Sequence, residues 1–168
     1  MVACGRNAST LESMSKLFSS TGRLSTVILT GDIATDTKAM ISASGNNKGA
    51  DAYIDFSPPQ AAKSTHIQAA LAALRPKGRA VFMGGIAGGV EINYQLVMMK
   101  SLRLQGKFMY EREMIVRLLG MVEKGNLKLG KNGTGIKTVG RFGLEGIGDA
   151  LLEAKNTAGW GRQVVLLP

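Results

Sequence analysis

The chain has 168 residues, of which 45% are hydrophobic and 20% are charged, a composition that fits one folded domain over residues 1–168. The net charge of +9 attracts anions, but scattered basic residues and only 5% aromatics argue against nucleic acid and favour a small phosphate-bearing or organic ligand. One cysteine and one histidine exclude an internal disulfide and a Cys/His zinc site, and favour a reducing, cytoplasmic location. No run approaches the roughly 20 apolar residues that span a bilayer, so no membrane partner is expected.

Strand and helix patterns alternate along the chain. Apolar or β-branched runs predict strands in the segments MVAC, LSTVILT, AYIDF, GRAVFM, SLRLQGKFMY, IKTVGRF and GRQVVLL. Helical spacing of apolar residues predicts helices in the segments STLESMSKLF, DTKAMISAS, IQAALAAL, MIVRLLGMV and LEGIGDALLEAKN. The resulting order is β-α-β-α-β-α-β-β-α-β-α-β, which is typical of a parallel α/β sheet with helices on both faces.

Two local patterns locate helix ends. Ser9 and Glu12 have the spacing of a capping box, which predicts that Ser9 begins the first helix. Ile67, Leu71 and Leu74 belong to a stripe at i, i+4 and i+7, which predicts a helix that ends before Pro76.

Ligands of doubly wound sheets bind outside the carboxyl ends of the strands. Gly5, Arg6 and Asn7 follow the first strand, where a basic residue accommodates a nucleotide 2′-phosphate. The planar guanidinium of Arg6 suits a phosphate, although a solvated arginine in a turn is the alternative interpretation.

Glycine and serine follow the later strands. The segments Ser57-Pro58, Gly84-Gly85 and Gly106-Lys107 occupy these positions. Glycine there allows a backbone to approach a ligand closely, and it is equally ordinary in turns, so both interpretations remain open.

Candidate acid, base and nucleophile groups are few. We expect Cys4 to be a buried small hydrophobe, and Asp51 and Asp55 to be solubilising residues on one strand face. Tyr94, Tyr110 and His66 are the only candidate proton donors, and His66 has no carboxylate next to it in sequence. The Met-rich segment LVMMK is expected to serve packing.

The segments VACGRNASTLESMSKLF, GADAYIDFSPP, AALAALRPKGRAVFMGG and GLEGIGDALLEAKNTAGWGRQVVLLP together resemble the medium-chain alcohol dehydrogenase/reductase family. The resemblance is to the cofactor-domain half and the chain end of that family. It implies an incomplete Rossmann-type α/β fold in which the first sheet strand and its glycine-rich loop are missing. The zinc ligands of the family's catalytic domain are missing from the sequence as well.

The resemblance also assigns roles to residues of this chain. It implies that Arg6 lies at the NADP phosphate position, that Ser57 and Pro58 lie near the adenosine side, and that Arg162 lies near the pyrophosphate. Two further segments would lie beside the nicotinamide, and they are Gly84-Gly85-Ile86 and Gly106-Lys107-Phe108. The cofactor implied is NADP(H), without zinc.

A missing first strand would leave a gap in the strand order 3-2-1-4-5-6. Three arrangements would fill it: direct pairing of the first strand with AYIDF, insertion of the terminal strand QVVLLP, or a strand from a partner chain. By resemblance, we expect a homodimer through the sheet edge.

Three functions follow from these features. The leading hypothesis is a truncated NADP(H)-type dehydrogenase/reductase-like protein, whose oxidoreductase activity is doubtful without the catalytic domain and phosphate loop. The second is a non-redox isomerase or cyclase that uses the vacated cofactor cleft through Asp55, Ser57 and Lys107. The third is a scaffold or regulatory partner that pairs through a sheet edge.

Overall fold

The computed structural model describes residues 1–45, 47–131 and 133–168, and in these ranges it contains seven strands, six α-helices and three short 3-10 helices. The strands are β1 (Val2–Gly5), β2 (Ser25–Ile28), β3 (Ala50–Asp55), β4 (Leu74–Phe82), β5 (Arg103–Gly106), β6 (Lys137–Gly143) and β7 (Arg162–Leu167). The helices are α1 (Ala8–Leu17), α2 (Ile33–Ala43), α3 (His66–Ala73), α4 (Tyr94–Lys100), α5 (Arg112–Glu123) and α6 (Ile147–Asn156). The α/β class predicted from the sequence is confirmed.

The chain divides into two compact units, Met1–Met109 and Tyr110–Pro168. In the first unit, β1 pairs with β2, and β3, β4 and β5 form a second sheet in that order. Both sheets are parallel. The registers align Gly5 with Ile28, Asp55 with Phe82, and Phe82 with Gly106, so the strands of each sheet end together.

A gap lies where the strand order of a doubly wound sheet reverses. The order β2-β1, then β3-β4-β5, reproduces that pattern with its first strand missing, and β1 does not pair with β3 in the described ranges. Direct pairing of the first strand with AYIDF is therefore wrong. Insertion of QVVLLP is wrong as well, because in the described ranges β7 pairs with β6 alone, in a two-stranded sheet. A strand from a partner chain stays a prediction.

Two apolar clusters stabilise the first unit. One contains Val27 of β2, Met40 of α2 and Ala69 of α3, so helices α2 and α3 bury the same core as the β1–β2 pair. The other contains Leu71 of α3 and Ala80 of β4. Tyr53 packs against both clusters, and side-chain packing thus joins two sheets between which the described residues form no strand pairing.

The first helix begins differently from the sequence prediction. Asn7 is the N-cap of α1, and its Oδ1 accepts from the Thr10 N–H at 3.0 Å. Ser9 lies inside the helix, and Glu12 pairs with Lys16 at 2.6 Å, so the predicted capping box is wrong. The side-chain oxygen of asparagine at this position satisfies an N–H group that the helix itself leaves unpaired.

Helix α4 was missed by the sequence analysis, which placed two strands in succession here. Parallel neighbours such as β4 and β5 need a crossover connection, and α4 lies in that connection. Asn93 caps it by accepting from the Leu96 N–H at 2.9 Å. Leu96 packs on the core, but Met98 and Met99 are exposed, so only part of the LVMMK segment serves packing.

The second unit is a small β-α-β arrangement preceded by α5. Strands β6 and β7 are parallel, and α6 connects them and contacts both. Ala150 of α6 is buried, whereas Leu118 and Leu119 of α5 are exposed. None of the helices in the described ranges is both long and apolar enough to cross a membrane.

Candidate functional site

The carboxyl ends of β2, β3 and β4 meet around the start of α3. Thr65 Oγ1 donates to the carbonyl oxygen of Gly31, just after β2, at 2.8 Å. His66, the first residue of α3, contacts Asp55 and Ser57 at the end of β3. The Gly85 N–H, just after β4, donates to the Ser57 carbonyl at 2.8 Å. One edge of the first unit therefore gathers the positions where nucleotide-binding folds place their ligands.

Asp55 is the centre of a polar cluster at this edge. Its residue surface is only 4% exposed. The Oδ1 atom accepts from the hydroxyl of Tyr53 at 3.0 Å, from the Ser57 N–H at 3.3 Å and from the Ser57 hydroxyl. The His66 Nε2 atom lies 3.4 Å from the same oxygen. The expectation that Asp55 is a solubilising residue is wrong, while Asp51 is exposed and pairs with Arg75.

Hydrogen bonds keep Asp55 ionised. Burial acts to raise the pKa of its carboxyl, but the hydrogen bonds from Ser57, Tyr53 and His66 outweigh burial and lower that pKa. Burial, followed by the nearby Asp55 charge, raises the pKa of the Tyr53 hydroxyl. Tyr53 therefore stays protonated and donates a hydrogen bond to Asp55. Asp55 thus carries a negative charge at neutral pH.

The cluster contains Asp, Ser and His, yet its geometry is not that of a catalytic triad. In a triad, histidine contacts serine through one ring nitrogen and the carboxylate through the other. Here the same His66 Nε2 lies 2.5 Å from Ser57 Oγ and 3.4 Å from Asp55 Oδ1. The Ser57 hydroxyl also bonds directly to Asp55. The arrangement joins the end of β3 to the start of α3, which the sequence could not show because the three residues are separated by the chain between these elements.

Gly84 must be glycine for a reason internal to the protein. A Cβ atom there would lie 2.5 Å from Asp55 Oδ2 and 2.7 Å from the Ser57 carbonyl oxygen. Gly85 is less restricted, since its Cβ would lie 3.3 Å from the Pro59 ring. Gly84 therefore permits close approach of two strand ends, and it is exposed on its other side.

The first predicted segment lies at the end of β1. Gly5 is the last residue of the strand, and Arg6 is exposed beside it. The Leu29 N–H donates to the Gly5 carbonyl at 2.8 Å, so Arg6 shares an edge with the loop after β2. Asn7 is used as the helix cap described above.

The other predicted residues are distributed along both units. Pro58 begins a short turn after β3, and Ile86 packs against the core. Gly106 ends β5, the Lys107 N–H donates to the Phe82 carbonyl at 3.0 Å, and Phe108 is 91% exposed. The candidate proton donors Tyr94 and Tyr110 are also exposed, whereas the His66 side chain is only 12% exposed. Arg162 begins β7 in the second unit.

Asp36 is a buried acid that the sequence analysis missed. It is 1% exposed and accepts from the Thr30 N–H at 2.9 Å, the Thr30 hydroxyl at 2.8 Å and the Gly31 N–H at 3.1 Å. Burial acts to raise its pKa, but these hydrogen bonds prevail and lower it. Asp36 thus fixes the loop after β2 from within α2. In the sequence Asp36 resembles any acidic residue in the first turn of a helix, four residues after the N-cap Asp32. Only its hydrogen bonds to the loop after β2, which the sequence does not show, reveal its role.

Cys4 differs from the sequence expectation. It is exposed rather than buried, and it lies in β1, one residue before the strand ends at Gly5. Burial of its thiol group, followed by the nearby charge of Asp36, nevertheless raises its pKa to about 11. The thiol is therefore protonated and poorly nucleophilic near neutral pH.

A shallow groove of about 810 Å³ lies along α2 and reaches Asp32, the N-cap of that helix, in the loop after β2. Ile33, Ile41 and Ala72 give it a largely apolar lining. It is open to solvent, and the hydrogen-bonded polar cluster around Asp55 lies outside its lining, so the strand-end edge is the better candidate site.

The residues that are present fit a nucleotide better than a zinc ion. The described part of the chain contains no group of three His, Cys, Asp or Glu residues able to hold a metal. By contrast, Arg6 offers an exposed cation at one strand end, and the strand-end loops Thr30–Asp32 and Ser57–Pro58 line the same edge. Parallel strand ends with a basic residue beside them are typical of nucleotide-binding α/β domains.

Comparison with known proteins identifies the family. Residues 24–124 match the family model described as zinc-binding dehydrogenase, and the chain belongs to this family of medium-chain alcohol dehydrogenase-like proteins. No curated protein sequence is significantly similar to the chain.

Solved structures of dehydrogenases share the fold. The chain resembles an alcohol dehydrogenase (rspB) from Escherichia coli solved with NADH, at a TM-score of 0.70, 17% identity, and coverage of 99% of this chain and 44% of that chain. Alcohol dehydrogenase TADH from Thermus sp. ATN1 matches at a TM-score of 0.70 and 15% identity, over 99% of this chain and 43% of that chain. Galactitol-1-phosphate dehydrogenase from Escherichia coli matches at a TM-score of 0.68 and 14% identity, over 99% of this chain and 46% of that chain. The chain thus spans less than half the length of these proteins.

Proposed function

We propose that the first unit binds an adenine dinucleotide of the NADP(H) type at the carboxyl ends of its strands. The observation that carries the proposal is the exposed Arg6 at the end of β1, on the edge where Gly31 and Ser57 also lie. Arginine at this position accommodates a 2′-phosphate, and its fixed charge attracts one. When bound, the cofactor would supply hydride transfer, while the chain's residues bind and orient it.

The protein binds NADP(H) without performing zinc-dependent alcohol oxidation in this proposal. Tyr94, Tyr110 and His66 are its candidate proton donors, and the structure places two of them in exposed positions and the third in the Asp55 cluster. Loss of oxidoreductase activity is accordingly part of the proposal.

Calorimetric titration with NADPH and NADH tests it. We expect tighter binding of NADPH, and we expect Arg6→Ala to remove about tenfold of that affinity while NADH is unaffected. Arg23→Ala is the matched control, since Arg23 is an exposed arginine that precedes β2 and therefore lies at the opposite edge. Absence of binding of both nucleotides at millimolar concentration would overturn the proposal.

The other hypotheses remain predictions. A non-redox enzyme would use the same edge, where Asp55 and Ser57 lie together but bond to each other. A homodimer through the sheet edge is supported by β5, which pairs only with β4 in the described ranges, and by the exposed Phe108 that follows it. Light scattering at several concentrations measures that association directly.

A further inference from the structure

Asp55 has one carboxylate oxygen engaged and one open. Its contacts to Tyr53, Ser57 and His66 all involve Oδ1. Within residues 1–45, 47–131 and 133–168, Oδ2 accepts no hydrogen bond, although a carboxylate oxygen offers two lone pairs. A buried ionised oxygen without a donor is costly, so an open oxygen in a residue that is 4% exposed needs a physical explanation.

Gly84 keeps this oxygen accessible. No fully enclosed side-chain oxygen or nitrogen in the described part of the chain lacks a partner, so Oδ2 is in contact with solvent. The missing side chain of Gly84 creates this opening, because a Cβ there would lie 2.5 Å from Oδ2 and would cover it. Gly84 is itself exposed, two residues after the end of β4. The open atom thus faces the strand-end edge.

The position of Asp55 relates it to Arg6. Arg6 directly follows β1 and Asp55 ends β3, and these two strands flank the gap, where the strand order reverses and ligands of such sheets bind. The bond between Thr65 and Gly31 ties their surroundings together. One nucleotide can therefore contact both residues, with its phosphate at Arg6 and a neutral hydrogen-bond donor at Asp55.

The charge of Asp55 limits the chemistry of that donor. An ionised carboxylate repels phosphate and accepts only from N–H or O–H groups. Next to a phosphorylated ribose, the exocyclic amine of adenine is a neutral donor on the same nucleoside. We propose that Asp55 Oδ2 accepts a hydrogen bond from this amine and thereby selects adenine over bases that carry an oxo group there. This inference rests on the proposed nucleotide binding.

Asp55→Asn is a matched test of this role. The donors Tyr53 and Ser57 require an acceptor at the Oδ1 position, so the amide oxygen takes that place and the NH2 group faces Gly84. The variant keeps the shape and converts the open atom from acceptor to donor. Titrations with NADPH and with its hypoxanthine analogue, in which a carbonyl replaces the amine, are made on both proteins, and the free energy of unfolding in urea is measured for each.

We expect the wild-type protein to bind NADPH about tenfold more tightly than the hypoxanthine analogue, and Asp55→Asn to abolish or reverse this preference. Equal affinity of the wild-type protein for the two nucleotides overturns the assignment, and this measurement needs no folded variant. Equal weakening of both nucleotides by Asp55→Asn also overturns it, since the donor would then be a ribose hydroxyl. If the wild-type protein binds neither nucleotide, the proposed function itself has failed.

Discussion

The hydroxyl of Thr65 donates to the carbonyl oxygen of Gly31 across 2.8 Å, and so joins the loop after β2 to the first turn of α3. Thr65 is the N-cap of α3 but makes no side-chain cap of its own helix. Its hydroxyl instead bonds to the loop after β2. Together with the Asp36 contacts on the other side of Gly31, this bond determines the shape of the edge where we place the ligand.

Asp36 should be the most important acid for stability in the first unit. Asp36→Ala removes three hydrogen bonds to a buried carboxylate and leaves the Thr30 and Gly31 N–H groups without their acceptor, so we expect a loss of about 3 kcal/mol in the free energy of unfolding. Asp32→Ala removes an exposed helix cap and should cost about 1 kcal/mol. Urea unfolding of both variants measures the difference, and equal losses would contradict this role of Asp36.

Acid should destabilise the protein through Asp55. Its pKa is lower in the folded chain than in the unfolded one, so the unfolded state binds more protons as pH falls. The contribution is therefore fully present above the unfolded pKa of about 4 and is lost as pH falls through the folded pKa. Unfolding free energies of wild type and Asp55→Asn between pH 7 and pH 3 should converge at the acid end. A constant difference would show that the Asp55 charge does not stabilise the fold.

Gly84→Ala should disrupt the edge, whereas Gly106→Ala should not. The new methyl at position 84 would collide with Asp55 Oδ2 and with the Ser57 backbone, so we expect a loss of about 3 kcal/mol. At position 106 a Cβ meets no atom within 4 Å, and we expect a change below about 0.5 kcal/mol. Thermal unfolding of the two variants checks this. Wild-type stability in Gly84→Ala would mean that the two strand ends are farther apart than described.

The thiol of Cys4 should react slowly despite its exposure. Its pKa of about 11 leaves little thiolate at pH 8, so iodoacetamide should modify it at least about tenfold more slowly than a free cysteine. Because the folded chain keeps this proton longer than the unfolded chain does, stability should decrease between about pH 8.5 and pH 11. Cys4→Ser should flatten that decrease. Alkylation at the rate of a free thiol would contradict the raised pKa.

Local patterns in the sequence predicted the strands well. The features that the sequence did not reveal depend on contacts between residues that are distant in the chain. β2 and β7 are β-branched or apolar runs, and such runs can be recognised as strands without knowing which strands lie beside them. His66 and Asp55, by contrast, meet only because the connection from β3 to α3 turns back on the sheet. Helix α4 was missed because only Leu96 of its apolar residues is packed on the core, although the cap Asn93 was a usable signal. The hydrogen-bonding of Asp36 depends on a loop conformation that composition does not encode.

The gap between β1 and β3 divides the first unit into two parts with separate backbone ladders. Such parts open independently in hydrogen exchange, and the β1–β2 pair, which has only one strand partner for each strand, should exchange its amides first. A nucleotide held at once by Arg6 and Asp55 would have to be released before the two parts separate. Its binding free energy would then be added to the free energy of that local opening, so the ligand would hold together two sheets that share no strand pairing in the described ranges.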